Sequence, residues 1–337
     1  MSRPSFTEAL NSRPWLLADG ATGTNYFQMG LVSGDAPEMW NFEHPERVRE
    51  LHKQFINAGA DIVLTNSFGG NRHRLKLHDA QDKVREVNMA AAKNARAEAD
   101  AAGRPVYVGG SVGPTGEIFE PVGTFPYAEG VVAFEEQARA LKEGGVDVIW
   151  IETMSSEEEL RAAVEGAAKA GLPIVTTMSF DTNGRTMMGI TPQAFGKLAG
   201  ELAVKPVAIG ANCGVGASEL VATVMGIAAA RPDAAIVAKG NCGIPQYHDG
   251  HIHYTGTPEL MADYARIALD AGARIIGGCC GTSPEHLASM RKALEGYTKG
   301  AKPTVAYVEE KLGAVSELAK GVDTAAAGAA RRERRRS

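Results

Sequence analysis

The feature that most limits the possible folds is an alternation: eight short runs rich in β-branched residues, each followed by a longer stretch of helical pattern. The runs are WLLADG, DIVLTNS, VYVGGS, VDVIWIET, PIVTTMSF, VAIGANC, IVAKGN and RIIGGCC; the stretches between them include HPERVRELHKQFINAG, SEEELRAAVEGAAKAG and SPEHLASMRKAL. Several of the helical stretches open on Ser or Thr ahead of Pro or an acid and close on Gly, residues that satisfy the unpaired groups of helix ends. Eight strand-then-helix units are the arithmetic of an α/β fold of the (β/α)8 barrel type. An open doubly wound sheet also alternates, but no GxGxxG follows the first run and the count of eight favours closure.

Composition removes other classes. With 337 residues, 44% of them hydrophobic, and a net charge of −5, the chain can bury a large core and has no bulk basic character that would suggest a nucleic-acid partner. No apolar run approaches the ~20 residues of a membrane-spanning helix. The opening MSRPSFTEALNSRPW lacks the basic-then-apolar build of a signal peptide, and four cysteines are too few for a disulfide framework, so a cytoplasmic protein with reduced thiols is expected. The barrel is expected over residues 1–300, with a short C-terminal extension over 301–337. In that extension AYVEEKLGAVSELAKG reads as one amphipathic helix, and VDTAAAGAARRERRRS, with five arginines between 331 and 336, as a disordered tail. A homo-oligomer is left open.

Barrel enzymes place their chemistry at the C-terminal ends of the strands. Here those ends read Asp19-Gly20, Asn66, Ser111, Glu152, Ser179, Asn212-Cys213, Asn241-Cys242 and Cys279-Cys280, so all four cysteines fall on one face. Cys213, Cys279 and Cys280 can approach one another across the barrel mouth. Three thiolates with an open fourth position form a catalytic zinc arrangement, whereas a structural site closes with four ligands, commonly in CxxC knuckles, which are absent. A vicinal disulfide and chance placement in the core are the competing readings.

The stretches DGATGT, ADIVLTNSF, GSVGPTGE, IET, SFDTNGRTMMG, GANCGVG and IIGGCCGTSPEH together resemble the homocysteine-binding methyltransferase family. That family includes betaine-homocysteine methyltransferases and the homocysteine domain of cobalamin-dependent methionine synthase. The likeness covers about residues 15–300 and is closest to bacterial proteins described as betaine-homocysteine methyltransferases, through PEMWNFEHPERV, LTNSFGGN, KLHDA and DGHIHYTGTPELMADYA. It implies a zinc-dependent homocysteine S-methyltransferase producing methionine. Cys213, Cys279 and Cys280 would hold Zn2+, and the homocysteine sulfur would take the fourth position as a thiolate. The resemblance gives Glu152 the substrate ammonium and gives the Asp19-Gly20-Ala21 loop the rest of the amino-acid moiety. Asn241 matches an asparagine that occupies the open zinc position in cobalamin-dependent relatives, although an Asn at a strand end is as often a backbone cap. Cys242 reads as a bystander, while Asn66, Ser111 and Asn212 are expected to tie strand ends together.

The methyl donor divides the expectations. Betaine is a quaternary ammonium, gripped by aromatic faces. The two positions that carry such aromatics in the animal betaine enzymes correspond here to Gly69 and Thr153. A cage would then have to be rebuilt from Phe119, Phe125, Tyr127 and Tyr247, with Trp40 a further candidate. The alternatives are a methylcobalamin-carrying partner protein, another small donor such as S-methylmethionine, and, outside enzymology, a zinc-dependent homocysteine sensor. His251 and His253 are read as a polar loop over the mouth, and Met187 and Met188 as packing beside the DTNG turn.

Overall fold

The computed structural model describes residues 3–243, 245–248, 251–317 and 319–322, apart from the side chains of 245–248, 251–253 and 321–322. The expected barrel is present. Its strands are β1 (Leu16–Leu17), β2 (Ile62–Leu64), β3 (Tyr107–Val112), β4 (Val148–Met154), β5 (Ile174–Met178), β6 (Ala208–Cys213), β7 (Ile236–Gly240) and, after the hairpin β8 (Pro245–His248) and β9 (His251–Tyr254), β10 (Ala273–Gly278). They pair in parallel in the order β1-β10-β7-β6-β5-β4-β3-β2. Between β1 and β2 the ring is joined by the pairing of Ala18 with Ile62, where Asp19 N–H donates to the Ile62 carbonyl at 3.0 Å.

The helices are α1 (Phe6–Ser12), α2 (Gly23–Gln28), α3 (Trp40–Glu43), α4 (Pro45–Asn57), α5 (Arg72–Leu75), α6 (Val84–Ala101), α7 (Tyr127–Gly144), α8 (Glu157–Ala168), α9 (Pro192–Glu201), α10 (Ala217–Ala230), α11 (Pro258–Ala271), α12 (Pro284–Leu294) and α13 (Val305–Leu312). The capping signals work as read: Ser156, Thr191, Thr257 and Ser283 each accept a backbone N–H of the helix they precede.

The period of two along each strand sorts side chains into two layers. Val148 and Trp150 of β4 point into the lumen with Leu16, Ile62, Tyr107, Val175, Val237 and Ile275. Ile149 and Ile151, between them, face the helices. The same alternation carries Glu152, Asn212 and Lys239 to the upper lumen. An element absent from the sequence reading closes the other end: α1, held by a Ser5–Glu8 capping box, buries Phe6, Ala9 and Leu10 against the lumen, with Phe6 edge-on to Tyr107 at 5.8 Å.

The helix expected over AYVEEKLGAVSELAKG is shorter than read. It ends at Leu312 because Gly313 adopts φ 102°, outside the helical region, and a 3-10 turn at Ala319–Val322 follows. Val305, Val308, Leu312, Val315 and Ala319 are buried in the same apolar layer as the barrel helices. The arginine-rich residues 323–337 lie outside the described residues. Among those described, no helix is long and apolar enough to cross a membrane.

Candidate metal centre and amino-acid pocket

Three sulfurs meet at the barrel mouth. Cys213 ends β6, while Cys279 and Cys280 follow β10, and the order β10-β7-β6 puts only one strand between them. Cys213 Sγ lies 3.3 Å from Cys279 Sγ and 3.7 Å from Cys280 Sγ, and all three lie within 4.8 Å of one another. Around a tetrahedral zinc with Zn–S bonds of about 2.3 Å, ligand sulfurs sit about 3.8 Å apart, so the donor set and its spacing fit that ion. Without a cation the sulfurs cannot all be charged. Cys280 is pushed down to about 3 by hydrogen bonds from Cys213 and Cys279, and Cys213, by donating them and by burial, is pushed up. Cys242 stands apart, fully buried in the apolar layer with its thiol raised to about 11 by burial.

The backbone is strained where it sets this geometry. Cys213 (φ 59°) and Thr153 (φ 64°) are non-glycine residues in the left-handed region, a conformation that costs about 1–3 kcal/mol each and persists where surroundings over-determine it. Asn212 supplies part of that constraint. Its Oδ1 accepts from Thr153 N–H (2.9 Å) and Thr177 Oγ1 (2.6 Å), and its Nδ2 donates to Thr153 Oγ1 (2.7 Å), with Cys279 Sγ 3.9 Å away.

Asn241 is engaged at both ends of its amide. Its side chain does not project as a free ligand: Nδ2 donates to the Gly214 carbonyl at 2.7 Å and Oδ1 accepts from Cys280 N–H at 3.0 Å. In this arrangement it caps backbone groups and clamps the turn after Cys213 to the segment carrying Cys280.

Glu152 lies in the upper lumen, buried, with Oε1 accepting from Ser111 Oγ at 2.5 Å. Burial raises its carboxyl to about 7, against the pull of Lys239 in the other direction. Asp19 is buried beside it but already engaged: Oδ1 meets Lys239 Nζ at 2.6 Å and Oδ2 accepts from Leu64 N–H at 2.7 Å. The neighbouring loop is tied to the segment after β10. Ala21 N–H donates to the Thr282 carbonyl at 3.0 Å, so it is not a free donor for a ligand. Gly20 is there because a Cβ would fall 2.6 Å from that carbonyl and 2.8 Å from Phe55.

Two residues were missed by the sequence reading. Lys239 is 1% exposed in the lumen; burial opposes its charge, but Asp19 and Glu152 outweigh it and hold the ammonium above its usual range. A lysine inside the apolar run IVAKGN was the signal. Tyr254, at the end of β9, packs on Gly281, and burial together with a hydrogen bond to the Cys280 sulfur raises its phenol.

The expected aromatic cage does not assemble among the described residues. Phe119 and Phe125 are buried against each other at 5.0 Å, with His73 on Phe125, and Tyr127 turns outward to donate to Glu165 of α8 at 2.8 Å. Trp40 is buried under Tyr26 and Arg47. At Gly69 a Cβ would lie 2.8 Å from Glu38 Oε1, which instead accepts the Gly69 N–H. The side chains of Tyr247, His251 and His253 lie outside the described ones. Met187 and Met188, expected as packing, are exposed beyond the Thr182–Arg185 turn, Met187 at 72%. Phe27, Phe68, Ile118 and Val122, on segments that follow β1, β2 and β3, are exposed as well.

The family described as Homocysteine S-methyltransferase matches residues 16–294. Methionine synthase of Mycobacterium leprae (strain TN) is 30% identical over 308 residues, covering 86% of this chain and 25% of that protein. Methionine synthase of Mycobacterium tuberculosis is 30% identical over 299 residues, covering 83% and 24%. The chain thus spans about a quarter of the length of these relatives. Among solved structures, the homocysteine methyltransferase MmuM of Escherichia coli in its oxidized form aligns with a TM-score of 0.70 at 23% identity, over 84% of this chain and 97% of that one. Its metallated form aligns at 0.68 and 24%, over 85% and 98%. At such identities the likeness shows the barrel fold alone.

Proposed function

The chain belongs to the homocysteine S-methyltransferase family, and from that premise we propose that it moves a methyl group onto the sulfur of homocysteine to give methionine, with zinc held by Cys213, Cys279 and Cys280. The observation that carries the reading is the convergence of three sulfurs, within 4.8 Å, at the strand ends that also carry the buried carboxylates Glu152 and Asp19. Zinc bound there would act as a Lewis acid that keeps a thiol in its fourth position as thiolate near neutral pH.

The chain's own residues do the rest. The strained turn at Cys213 and the Asn241 clamp fix the cradle, so little reorganisation is needed when a ligand arrives. Glu152, oriented by Ser111, accepts the substrate ammonium by a charge-assisted hydrogen bond, which holds the sulfur end of the amino acid toward the cysteines. The reading places the protein in a reducing compartment, the cytoplasm, where the thiols stay available for metal.

The donor is small and enclosed, as betaine is, or large and carried by another protein. Two observations favour the second. Among the described side chains, the candidate cage aromatics Phe119, Phe125, Tyr127 and Trp40 are packed elsewhere, and the segments that follow β1, β2, β3 and β5 carry exposed apolar side chains at Phe27, Phe68, Ile118, Val122, Met187 and Met188, as suits a macromolecular partner. The matched quarter of the methionine synthases fits a homocysteine-activating unit that meets a methylcobalamin carrier. Zinc-loaded protein with homocysteine and, in turn, betaine, S-methylmethionine or a methylcobalamin-carrying protein tests this by methionine formation. The account expects methionine with the carrier. Betaine turnover would restore the direct-transfer reading, and binding without methionine from any donor would make the chain a homocysteine sensor.

A further inference from the structure

Lys239 is a full cation inside a barrel lumen whose other layers are apolar. Its partners across the sheet are Gly277 and Asn212, the lumen layer below it holds Val237 and Ile275, and its ammonium sits 6.0 Å over the Trp150 ring. It donates to Asp19 Oδ1 at 2.6 Å and approaches the Asp19 carbonyl at 3.3 Å. Asp19 is fixed from its other oxygen by Leu64 N–H, and its backbone carbonyl accepts from Gly278 N–H at 2.9 Å, immediately before Cys279. One lysine therefore links β7 to the ends of β1, β2 and β10.

Stability does not account for such a pair. Exchanging a buried ion pair for apolar side chains of similar volume is often neutral or stabilising, and the lumen below is already packed that way. The charge at the mouth does account for it. Three thiolates around a divalent ion leave one net negative charge, and Asp19 and Glu152 would add two more in a water-poor space. Lys239 removes one of these and at the same time fixes the Asp19 carboxylate in place. Glu152, the other acid, is not bonded through Oε2 among the described residues.

We propose that Lys239 is a positioning residue for the α-amino group of the substrate: by pairing with Asp19 it fixes that carboxylate and balances its charge beside Glu152, the acid that receives the ammonium. The inference rests on the proposed homocysteine site and deepens it, because it assigns part of the selectivity for an amino acid over a plain thiol to a residue that touches neither sulfur nor metal.

The test compares homocysteine with 4-mercaptobutanoate, the same thiol acid without the ammonium, by calorimetric titration of zinc-loaded full-length protein. Lys239→Met should keep one zinc per chain and bind 4-mercaptobutanoate within about threefold of the original, yet lose about tenfold or more of its preference for homocysteine. Lys239→Arg, which retains a cation, should recover part of that preference and serves as the folding control. Equal weakening of both thiols would reduce Lys239 to a structural role and overturn the proposal. An unchanged or increased preference would overturn it too, by showing that Lys239 positions nothing or competes with the substrate. If the unaltered protein binds neither thiol, it is the homocysteine reading itself that fails.

Discussion

Cys213 Sγ and Cys279 Sγ lie 3.3 Å apart although 66 residues separate them in the chain. The barrel order makes this contact, since only β7 stands between the strands that carry them. Either sulfur is then an irreplaceable corner of a three-sulfur cradle. Cys213→Ser and Cys279→Ser should each lose zinc affinity by more than about 100-fold, beyond the loss typical of residues outside the ligand shell. Metal analysis after dialysis against a chelator checks this, with one zinc per chain expected in the unaltered protein.

Asn241 is bonded on both sides of its amide, to Gly214 and to Cys280. Asn241→Ala should therefore weaken zinc about 10–100-fold, as losing an orienting partner does. Chelator competition measures it. Zinc affinity that stayed unchanged while the fourth position opened to small anions would instead fit a displaceable ligand.

Glu152→Ala should weaken homocysteine by about 1.5–3 kcal/mol and leave zinc in place. The pH dependence has a definite sign. Burial raises the Glu152 carboxyl to about 7, so as pH falls through 7 it takes a proton and loses its ammonium partner. Homocysteine affinity should drop on the acid side with a midpoint near 7, and Glu152→Gln should remove that limb. The same shift makes the ionised carboxyl unfavourable to the fold: its contribution is present below the ordinary value of 4.5 and is lost as pH rises through 7. Glu152→Gln should thus raise the melting temperature more at pH 8 than at pH 5.

Much of this site was legible from strand ends. The period of two places Ser111, Glu152 and Asn212 in the upper lumen once the strands are found, and the adjacent Cys279 and Cys280 after a glycine pair announce two corners of the cradle, with Cys213 at a strand end as the third. What stayed hidden depends on partners distant in sequence. Asp19 reads as a free carboxylate until Lys239 is placed against it, and Phe119 and Phe125 as cage walls until they are seen to face each other. The plug α1 was missed because seven residues with three inward apolar side chains give a weak periodic signal.

The third-strand loop yields a prediction about the donor. Phe119 is packed beneath Gly130 and against Phe125, so Phe119→Ala should destabilise the fold by about 3–5 kcal/mol. Tyr127→Phe should change no donor requirement, since its hydroxyl faces Glu165. Charging the rim, as Met187→Asp with Met188→Asp, should slow methyl transfer from a carrier protein and leave homocysteine binding unchanged, read from methionine formation against carrier concentration.

The central claim, that this cradle activates homocysteine on zinc, is tested most directly by X-ray absorption at the zinc edge with and without homocysteine, a measurement that needs no knowledge of the donor. The account predicts three sulfur neighbours and one lighter atom at rest, becoming four sulfurs at about 2.3 Å when homocysteine is added. A zinc environment that homocysteine does not change, or a protein that binds no zinc, would contradict it.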